Sequence, residues 1–269
     1  MMQRLRSAAI ALVLLFVIMF SGKAVIACCA VILSLMCLYE IFGVFSYQKE
    51  PLFVVLGIIS SALMPFLDKF DTKFTAPIFF FYVLLLSSYM VFFNKRVTIN
   101  DVAMVFFIII IIPFCFSHII FLRNLDFGKY YIWLPFIGAF CTDTAAYFVG
   151  KIVGGKKLCE NLSPKKTISG SIGGFFGAVF GFFVYHMILK FGFSIIINLG
   201  VYYLIAVLSG GISQIGDLTA SAIKRVGHTK DFGNIMPGHG GIMDRVDSLV
   251  FVAPMIYFII STLGIGVFY

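Results

Sequence analysis

Long hydrophobic stretches, each close to twenty residues, alternate with short polar segments along the whole chain. An α-helix needs about 20 mainly apolar residues to cross the ~30 Å hydrocarbon core of a bilayer, whereas a membrane barrel would show alternating strands. The pattern therefore predicts about nine transmembrane helices. The predicted spans are 7–22, 24–43, 51–67, 75–93, 101–122, 131–150, 170–190, 194–216 and 248–268.

The composition excludes a soluble globular protein. The 269 residues are 61% hydrophobic and 12% charged, with a mean hydropathy of +1.06, and no soluble core is large enough to bury so much apolar surface. We expect an all-α polytopic membrane protein, with residues 1–269 in a single membrane domain. Residues 1–130 would form a hydrophobic helical scaffold, and residues 131–269 would supply the catalytic helices and cytoplasmic loops.

The beginning of the chain allows two interpretations. Arg4 and Arg6, in front of a short hydrophobic span, resemble the start of a signal peptide. Hydrophobicity resumes directly after Lys23, so we expect two helices joined at residues 21–23 rather than a cleaved leader.

Positive charge is distributed unevenly between the two sides of the predicted helices. The chain has 20 Lys and Arg against 12 Asp and Glu, and fourteen of those 20 cations lie in the N-terminal segment or after even-numbered spans. By the positive-inside rule this side is cytoplasmic. The polar segments 151–169 and 217–247 then share the cytoplasmic face. This predicts an integral protein of the cytoplasmic membrane, if the source is prokaryotic, with its active site facing the cytoplasm and with no nucleic-acid partner.

Polar residues are scarce in the predicted scaffold. Glu40, Asp101 and His118 lie at or near the ends of predicted helices. A polar side chain at such a position can extend to water, so we expect no functional role for these three residues.

Asp143 lies within the sixth predicted helix, in the stretch "CTDTAAYFVGK". At ~1.5 Å of rise per residue it is about 12 Å deeper than Lys151. A carboxylate at that depth is costly unless it meets a cation or water, so a functional role is favoured over a simple hydrogen bond to a neighbouring helix. Tyr147 follows four residues later on the same helical face.

A lysine-rich segment joins the sixth and seventh predicted helices. Its cations are Lys151, Lys156, Lys157, Lys165 and Lys166. Ser163 and Thr167 accompany them near the start of the seventh helix, where free N–H groups favour an anion. The segment could serve only as a membrane anchor, but the pattern favours phosphate binding.

The seventh predicted helix carries a GxxxGxxxG stripe formed by Gly173, Gly177 and Gly181. Small residues at this spacing let a second helix pack closely. The second helix could belong to the same chain or to another protomer, so a homodimer is compatible with the sequence.

One face of the eighth predicted helix and its extension carries several charged groups. Asp217, Ser221 and Lys224 follow the i, i+4, i+7 spacing, and Arg225 lies beside them. Such a stripe suits ordinary ion pairs at the membrane surface, and it equally suits a metal ion with an anion above it.

The segment from Lys224 to Ser248 is the most polar part of the chain, with seven charged residues and five glycines in 25 positions. His239 is surrounded by glycines that allow the backbone to approach a ligand. Asp244 and Asp247 are spaced i, i+3 and should share a face as the final helix begins. Two carboxylates this close repel each other unless a cation lies between them.

Four aspartates are therefore predicted to converge on a metal site. They are Asp143, Asp217, Asp244 and Asp247. Oxygen ligands with no cysteine and few histidines favour Mg²⁺ or Mn²⁺ over zinc.

The stretch "SAIKRVGHTKDFGNIMPGHGGIMDRVD", residues 221–247, resembles the signature of the phosphatidate cytidylyltransferase family, also called CDP-diacylglycerol synthases. The stretches "DTAAYFVGK" and "SPKKT" resemble two further blocks of that family. One departure follows the second block. The family often carries Glu or Gln before glycine there, whereas this chain has Ile168, Ser169 and Gly170.

The resemblance implies that CTP and phosphatidic acid react at the bilayer to give CDP-diacylglycerol and pyrophosphate, with Mg²⁺ required and a second cation compatible with four carboxylates. The implied catalytic residues are Asp217, Asp244, Asp247, Lys224 and Arg225, with Asp143 at the same or an adjacent metal site. The implied substrate-binding residues are Tyr147, Ser163, Lys165, Lys166, Thr167, Ser221, His239 and Arg245.

Three other activities are weighed against this one. A CTP-dependent lipid or polyprenol kinase would need similar cations and metal. A membrane transporter would spread charged residues through the midplane, whereas this sequence concentrates them at one face. A CDP-alcohol phosphotransferase is disfavoured because its longer aspartate pattern is missing.

Overall fold

The structure, a computed structural model, describes residues 2–69, 72–236, 238, 240–263 and 267–268. The chain is mostly helical, as predicted. The helices of the first half are α1 (Met2–Met19), α2 (Lys23–Phe45), α3 (Pro51–Leu63), α4 (Thr72–Phe92) and α5 (Ile99–Asn124). Those of the second half are α6 (Gly128–Tyr131), α7 (Trp133–Val153), α8 (Ile168–Phe193), α9 (Leu199–Val226), α10 (Met243–Val246) and α11 (Leu249–Leu263). Short 3-10 helices cover Tyr47–Lys49 and Met64–Lys69.

Five helices among the described residues are long and apolar enough to cross a membrane. They are Lys23–Phe45, Ile99–Asn124, Gly128–Val153, Ile168–Phe193 and Leu199–Val226. Shorter apolar helices cover Ala9–Met19, Pro51–Leu67, Ala76–Phe92 and Leu249–Ser261. A polytopic helical membrane protein is therefore confirmed, while the number nine stays a prediction.

The core is organised around two helices. α5 packs against α2, α3, α4 and α11, and α7 packs against α8, α9 and α11. Because α11 contacts both groups, it joins the helices of the first half to those of the second. The division into a scaffold and a catalytic half stays a prediction.

The glycine stripe on α8 is used within the chain. A Cβ atom added at Gly173 would lie 2.5 Å from Cβ of Val149, and one at Gly181 would lie 2.5 Å from Sγ of Cys141. Both partners are on α7, so the stripe lets α7 and α8 approach closely. The homodimer stays a prediction, and the stripe no longer gives a reason for it.

A β-hairpin interrupts the all-α pattern that we predicted. Strands β1 (Lys157–Cys159) and β2 (Ser163–Thr167) pair antiparallel within the lysine-rich segment. The strands are too short to produce an alternation that stands out in the sequence. The hairpin leads directly into α8, whose first turn is capped by the Thr167 hydroxyl accepting from the Gly170 N–H at 3.1 Å.

Two helix boundaries differ from the prediction in ways that affect the site. α9 runs ten residues beyond the predicted end, because its last turns are amphipathic and hydropathy alone does not detect them. The final long helix begins at Leu249. Asp244 and Asp247 therefore lie on and directly after the single turn of α10 rather than on the final helix.

Two of the three scaffold residues expected to reach water are buried instead. Glu40 is 3% exposed and His118 is 2% exposed. His118 lies among aromatic rings, and its Nδ1 is 2.7 Å from the Phe114 carbonyl oxygen. Asp101 does lie at a helix end, where it forms a capping box with Thr98 at the start of α5.

Candidate active site

A cavity of about 700 Å³ is bordered by α7, the β-hairpin, the first turn of α8, α9 and the segment around α10. Ten of the predicted site residues line it. They are Asp143, Tyr147, Lys165, Lys166, Thr167, Asp217, Lys224, Asp244, Arg245 and Asp247. Side chains far apart in the sequence thus line one cavity, while a metal site formed by the four aspartates stays a prediction.

The other predicted site residues are placed differently. Ser221 is buried behind the cavity wall, with its Oγ 3.5 Å from Asp217 Oδ1. Ser163 begins β2 opposite Cys159. Arg225 donates to the carbonyl oxygens of Leu162 and Thr229, at 3.3 and 3.2 Å. It thereby connects the end of α9 to the hairpin turn.

His239, predicted to bind substrate, lies outside the described residues. Its role therefore stays a prediction. The neighbouring Gly238 and Gly240 have φ values of 78° and 84°, a backbone conformation that favours glycine.

Two of the acidic residues are joined by one serine. Ser248 donates its hydroxyl to Asp143 Oδ2 at 2.7 Å and its backbone N–H to Asp247 Oδ1 at 2.8 Å. Asp143 thus makes a hydrogen bond to the turn before α11, close to the alternative that we weighed for it, but the carboxyl also lines the cavity. Ser248 was missed in the sequence, although it directly follows the D-R-x-D element.

Asp217 faces the lysine-rich hairpin from α9. Its carboxylate forms an ion pair with Lys166 of β2. Both side chains are about a quarter exposed, so the pair is at the cavity wall rather than at the open surface. The predicted phosphate-binding segment and the predicted metal ligand are therefore in direct contact.

Asp244 is held entirely by protein donors. Its Oδ1 is 2.7 Å from Lys224 Nζ, and its Oδ2 accepts from the N–H groups of Phe232 and Gly241 at 2.9 and 3.1 Å. Asp244 therefore fixes the conformation of the segment between α9 and α10. A role at a metal ion stays a prediction for this residue.

Asp247 is a buried carboxylate in surroundings that disfavour its negative charge. Burial, together with the nearby carboxylate of Asp217 and more weakly that of Asp143, raises the pKa of Asp247 to about 7, against the opposing effect of Lys224. A cation near these carboxylates would relieve that cost.

The donor set fits a magnesium ion only with help from the substrate. Among the described residues, no three His, Cys, Asp or Glu side chains are arranged closely enough to enclose an ion. Mg²⁺ usually takes one or two carboxylates from the protein and completes its shell with water and substrate phosphates. Asp143, Asp217 and Asp247 all line the cavity, and one or two of them suit that mode.

Several cavity residues were missed or only grouped in the sequence. Gln214 is buried and donates its Nε2 to the carbonyl oxygens of Ser171 and Gly210, at 3.2 and 2.9 Å. It lies inside an apolar run, and nothing in the pattern distinguishes it. Lys151 and Lys157 also line the cavity, as the lysine-rich segment suggested.

Ser169, at the position where the resembled family often has Glu or Gln, has a local role. Its hydroxyl donates to the Gly154 carbonyl oxygen and lies 3.0 Å from Thr167 Oγ1. These contacts connect the start of α8 to the end of α7, and Ser169 is not among the residues that line the cavity.

The sequence is similar to one protein family and to individual bacterial proteins of known name. The model of the cytidylyltransferase family matches residues 2–263. The phosphatidate cytidylyltransferase of Staphylococcus aureus (strain COL) is 32% identical over 260 residues, which are 94% of this chain and 96% of that protein. That of Bacillus subtilis (strain 168) is 38% identical over 186 residues, 67% of this chain and 66% of that protein.

Proposed function

Because the chain belongs to the cytidylyltransferase family, we propose that it is an enzyme which transfers the cytidylyl group of CTP to phosphatidic acid. The products are CDP-diacylglycerol and pyrophosphate. The observation that carries the proposal is a single cavity in which carboxylates and lysines from the predicted motifs lie together.

The chemistry needs positive charge and positioning more than proton transfer. The phosphate of phosphatidic acid is already an anionic nucleophile near neutral pH. Its oxygen forms a bond to the α-phosphorus of CTP while the bond from that phosphorus to the leaving pyrophosphate breaks. The obstacle is the repulsion between two polyanions, which fixed cations at a preformed site reduce.

We assign the phosphate contacts to the cations of the cavity wall. Lys151, Lys157 and Lys165 approach it from α7 and the hairpin. Lys166 and Lys224 are already oriented by Asp217 and Asp244. Substrate phosphates would share these two cations with their carboxylate partners, so the ion pairs preorganise the site.

We propose Mg²⁺ as the cofactor, held by one or two of the carboxylates of Asp143, Asp217 and Asp247 together with substrate phosphates. It would supply concentrated positive charge against the phosphate oxygens. Asp244 could join this set only by giving up Lys224 or a backbone N–H. A second cation is compatible with the number of carboxylates and is part of the same proposal.

We also propose nine membrane spans with the cavity on the cytoplasmic side. The polar segments 151–169 and 217–247 both contribute to one cavity, so they lie on the same side of the helices. This supports the common face predicted for the two segments, and the cytoplasmic orientation of that face rests on the positive charges.

The proposal is tested with protein purified in detergent and mixed with phosphatidic acid and Mg²⁺. CTP labelled at the α-phosphate should transfer its label into the lipid phase, and EDTA should abolish the transfer. CTP labelled at the γ-phosphate should leave the lipid unlabelled. Transfer of label from γ-labelled CTP to phosphatidic acid, or to a polyprenol added as acceptor, would instead show a kinase. No label in lipid from either CTP, with folded protein, would refute both activities.

A further inference from the structure

Glu40 is a buried carboxylate on α2, in the part of the chain to which the sequence assigned no function. It is 3% exposed. A carboxylate buried in a membrane protein is rare unless specific partners satisfy it. Its partners therefore indicate why it is present.

The partners of Glu40 belong to the segment that leads into α10. The Ile242 N–H donates to Oε1 at 2.9 Å, and the Met243 N–H donates to Oε2 at 2.8 Å. Both carboxylate oxygens are thus used by consecutive backbone groups just before Asp244.

Two glycines allow the carboxylate to come this close. A Cβ atom at Gly241 would lie 2.6 Å from Glu40 Oε2, and one at Gly233 would lie 2.9 Å from Oε1. Neither glycine has a positive φ, so close approach and not backbone conformation explains both.

The same segment is held from its other side by Asp244, which accepts from Phe232 and Gly241 N–H groups. Two carboxylates thus clamp one stretch of backbone, with Glu40 on the scaffold side and Asp244 at the cavity. We propose that Glu40 is a positioning residue that orients α10, so that Asp244 and Arg245 face the cavity. Its kinetic consequence rests on the proposed function.

Glu40→Gln tests the proposal, because glutamine keeps the size but presents an NH₂ group to one of the two backbone donors. Glu50→Gln is the matched control. Glu50 is a half-buried scaffold carboxylate that accepts from the Tyr89 hydroxyl at 2.6 Å, and glutamine can still accept there. Both variants are purified and compared with the unmodified protein at equal amounts of folded material.

We expect Glu40→Gln to lower kcat at least tenfold while the KM for CTP changes less than threefold. The reason is that four of the five lysines assigned to the phosphates lie on α7 or in the hairpin, whereas Asp244 and Arg245 lie on α10. Glu50→Gln should keep kcat within twofold. Unchanged kcat in Glu40→Gln, with or without lower thermal stability, would overturn the proposal.

A second measurement does not depend on the activity. Lys230 is exposed in the segment between α9 and α10, and trypsin cleaves after lysine. If Glu40 holds this segment, Glu40→Gln should be cleaved there at least several times faster than the Glu50→Gln control. Equal cleavage rates would contradict the clamp. An inactive unmodified protein would refute the proposed function and leave this measurement to decide the inference.

Gly233→Ala serves if Glu40→Gln does not fold. The added methyl group would lie 2.9 Å from Glu40 Oε1 and so displaces the carboxylate, while the Glu40 side chain itself is unchanged. The same fall in kcat and the same faster cleavage are expected, and their absence would count against the clamp.

Discussion

Four charged residues of the cavity form two ion pairs of opposite charge. Lys166 neutralises Asp217, and Lys224 neutralises Asp244. Removing one member of a partly buried pair leaves the other without compensation, and this costs more than the pair itself contributes. Substitutions in the cavity should therefore affect binding and turnover together.

Asp217→Asn should reduce kcat/KM by about 100-fold or more. Asparagine cannot compensate Lys166, and it offers a cation much weaker attraction. Steady-state transfer of α-labelled CTP into lipid measures the effect. Asp126→Asn, at an exposed position after α5, is the control and should retain full activity. More than a tenth of normal activity in Asp217→Asn would remove Asp217 from the site.

Ser248→Ala should have a smaller effect. It removes the hydroxyl that donates to Asp143 but keeps the backbone N–H that donates to Asp247. One lost hydrogen bond to a charged group corresponds to about tenfold in kcat. Ser117→Ala removes a buried hydroxyl that donates to the Pro113 carbonyl oxygen in α5, at 2.7 Å. It should change stability at most, so a comparable fall in its kcat would contradict the assignment.

Secondary-structure elements show where a sequence pattern is informative and where it is not. Each long hydrophobic run predicted a helix that the structure contains. The last turns of α9 were not predicted because they are amphipathic rather than uniformly apolar, and the hairpin was not predicted because its strands are short. Glu40 was misassigned because its partners are 202 residues away, a separation that local patterning does not reveal.

Gly177 lies at the α7–α8 contact, where the space for a side chain is already filled. A Cβ atom there would lie 2.6 Å from the Cys141 carbonyl oxygen, so Gly177→Ala should lower the unfolding free energy by about 1–3 kcal/mol. Gly192→Ala, in the same helix, meets no atom within 4 Å and should be neutral or slightly stabilising. Thermal unfolding in detergent compares the two variants. Equal midpoints would show that α7 and α8 are not closely packed.

The whole molecule combines an apolar exterior with a charged interior on one side. Most of the exposed large hydrophobic residues lie along the long helices, while the lysines and aspartates of the cavity come together at one end of α7, α9 and the hairpin. The orientation proposed for the protein can therefore be tested at two loops on opposite sides.

Cys159, in the hairpin, should be cytoplasmic, and a cysteine placed by Asp126→Cys should be external. Each is studied as the single cysteine of the chain. A membrane-impermeant maleimide added to intact cells should label the second variant and spare Cys159, and inverted vesicles should reverse the result. Labelling of Cys159 from outside would invert the proposed topology.

The contact between Glu40 and residues 242 and 243 also bears on the order in which the chain is synthesised and assembled. α2 leaves the ribosome 202 residues before Ile242, which corresponds to about 10–40 s of synthesis at ~5–20 residues per second. Throughout that interval the inserted helix carries a carboxylate whose final partners do not yet exist. Glu40 can therefore hold the segment before α10 only after the second half of the chain has been synthesised, and its carboxylate must be satisfied in another way until then.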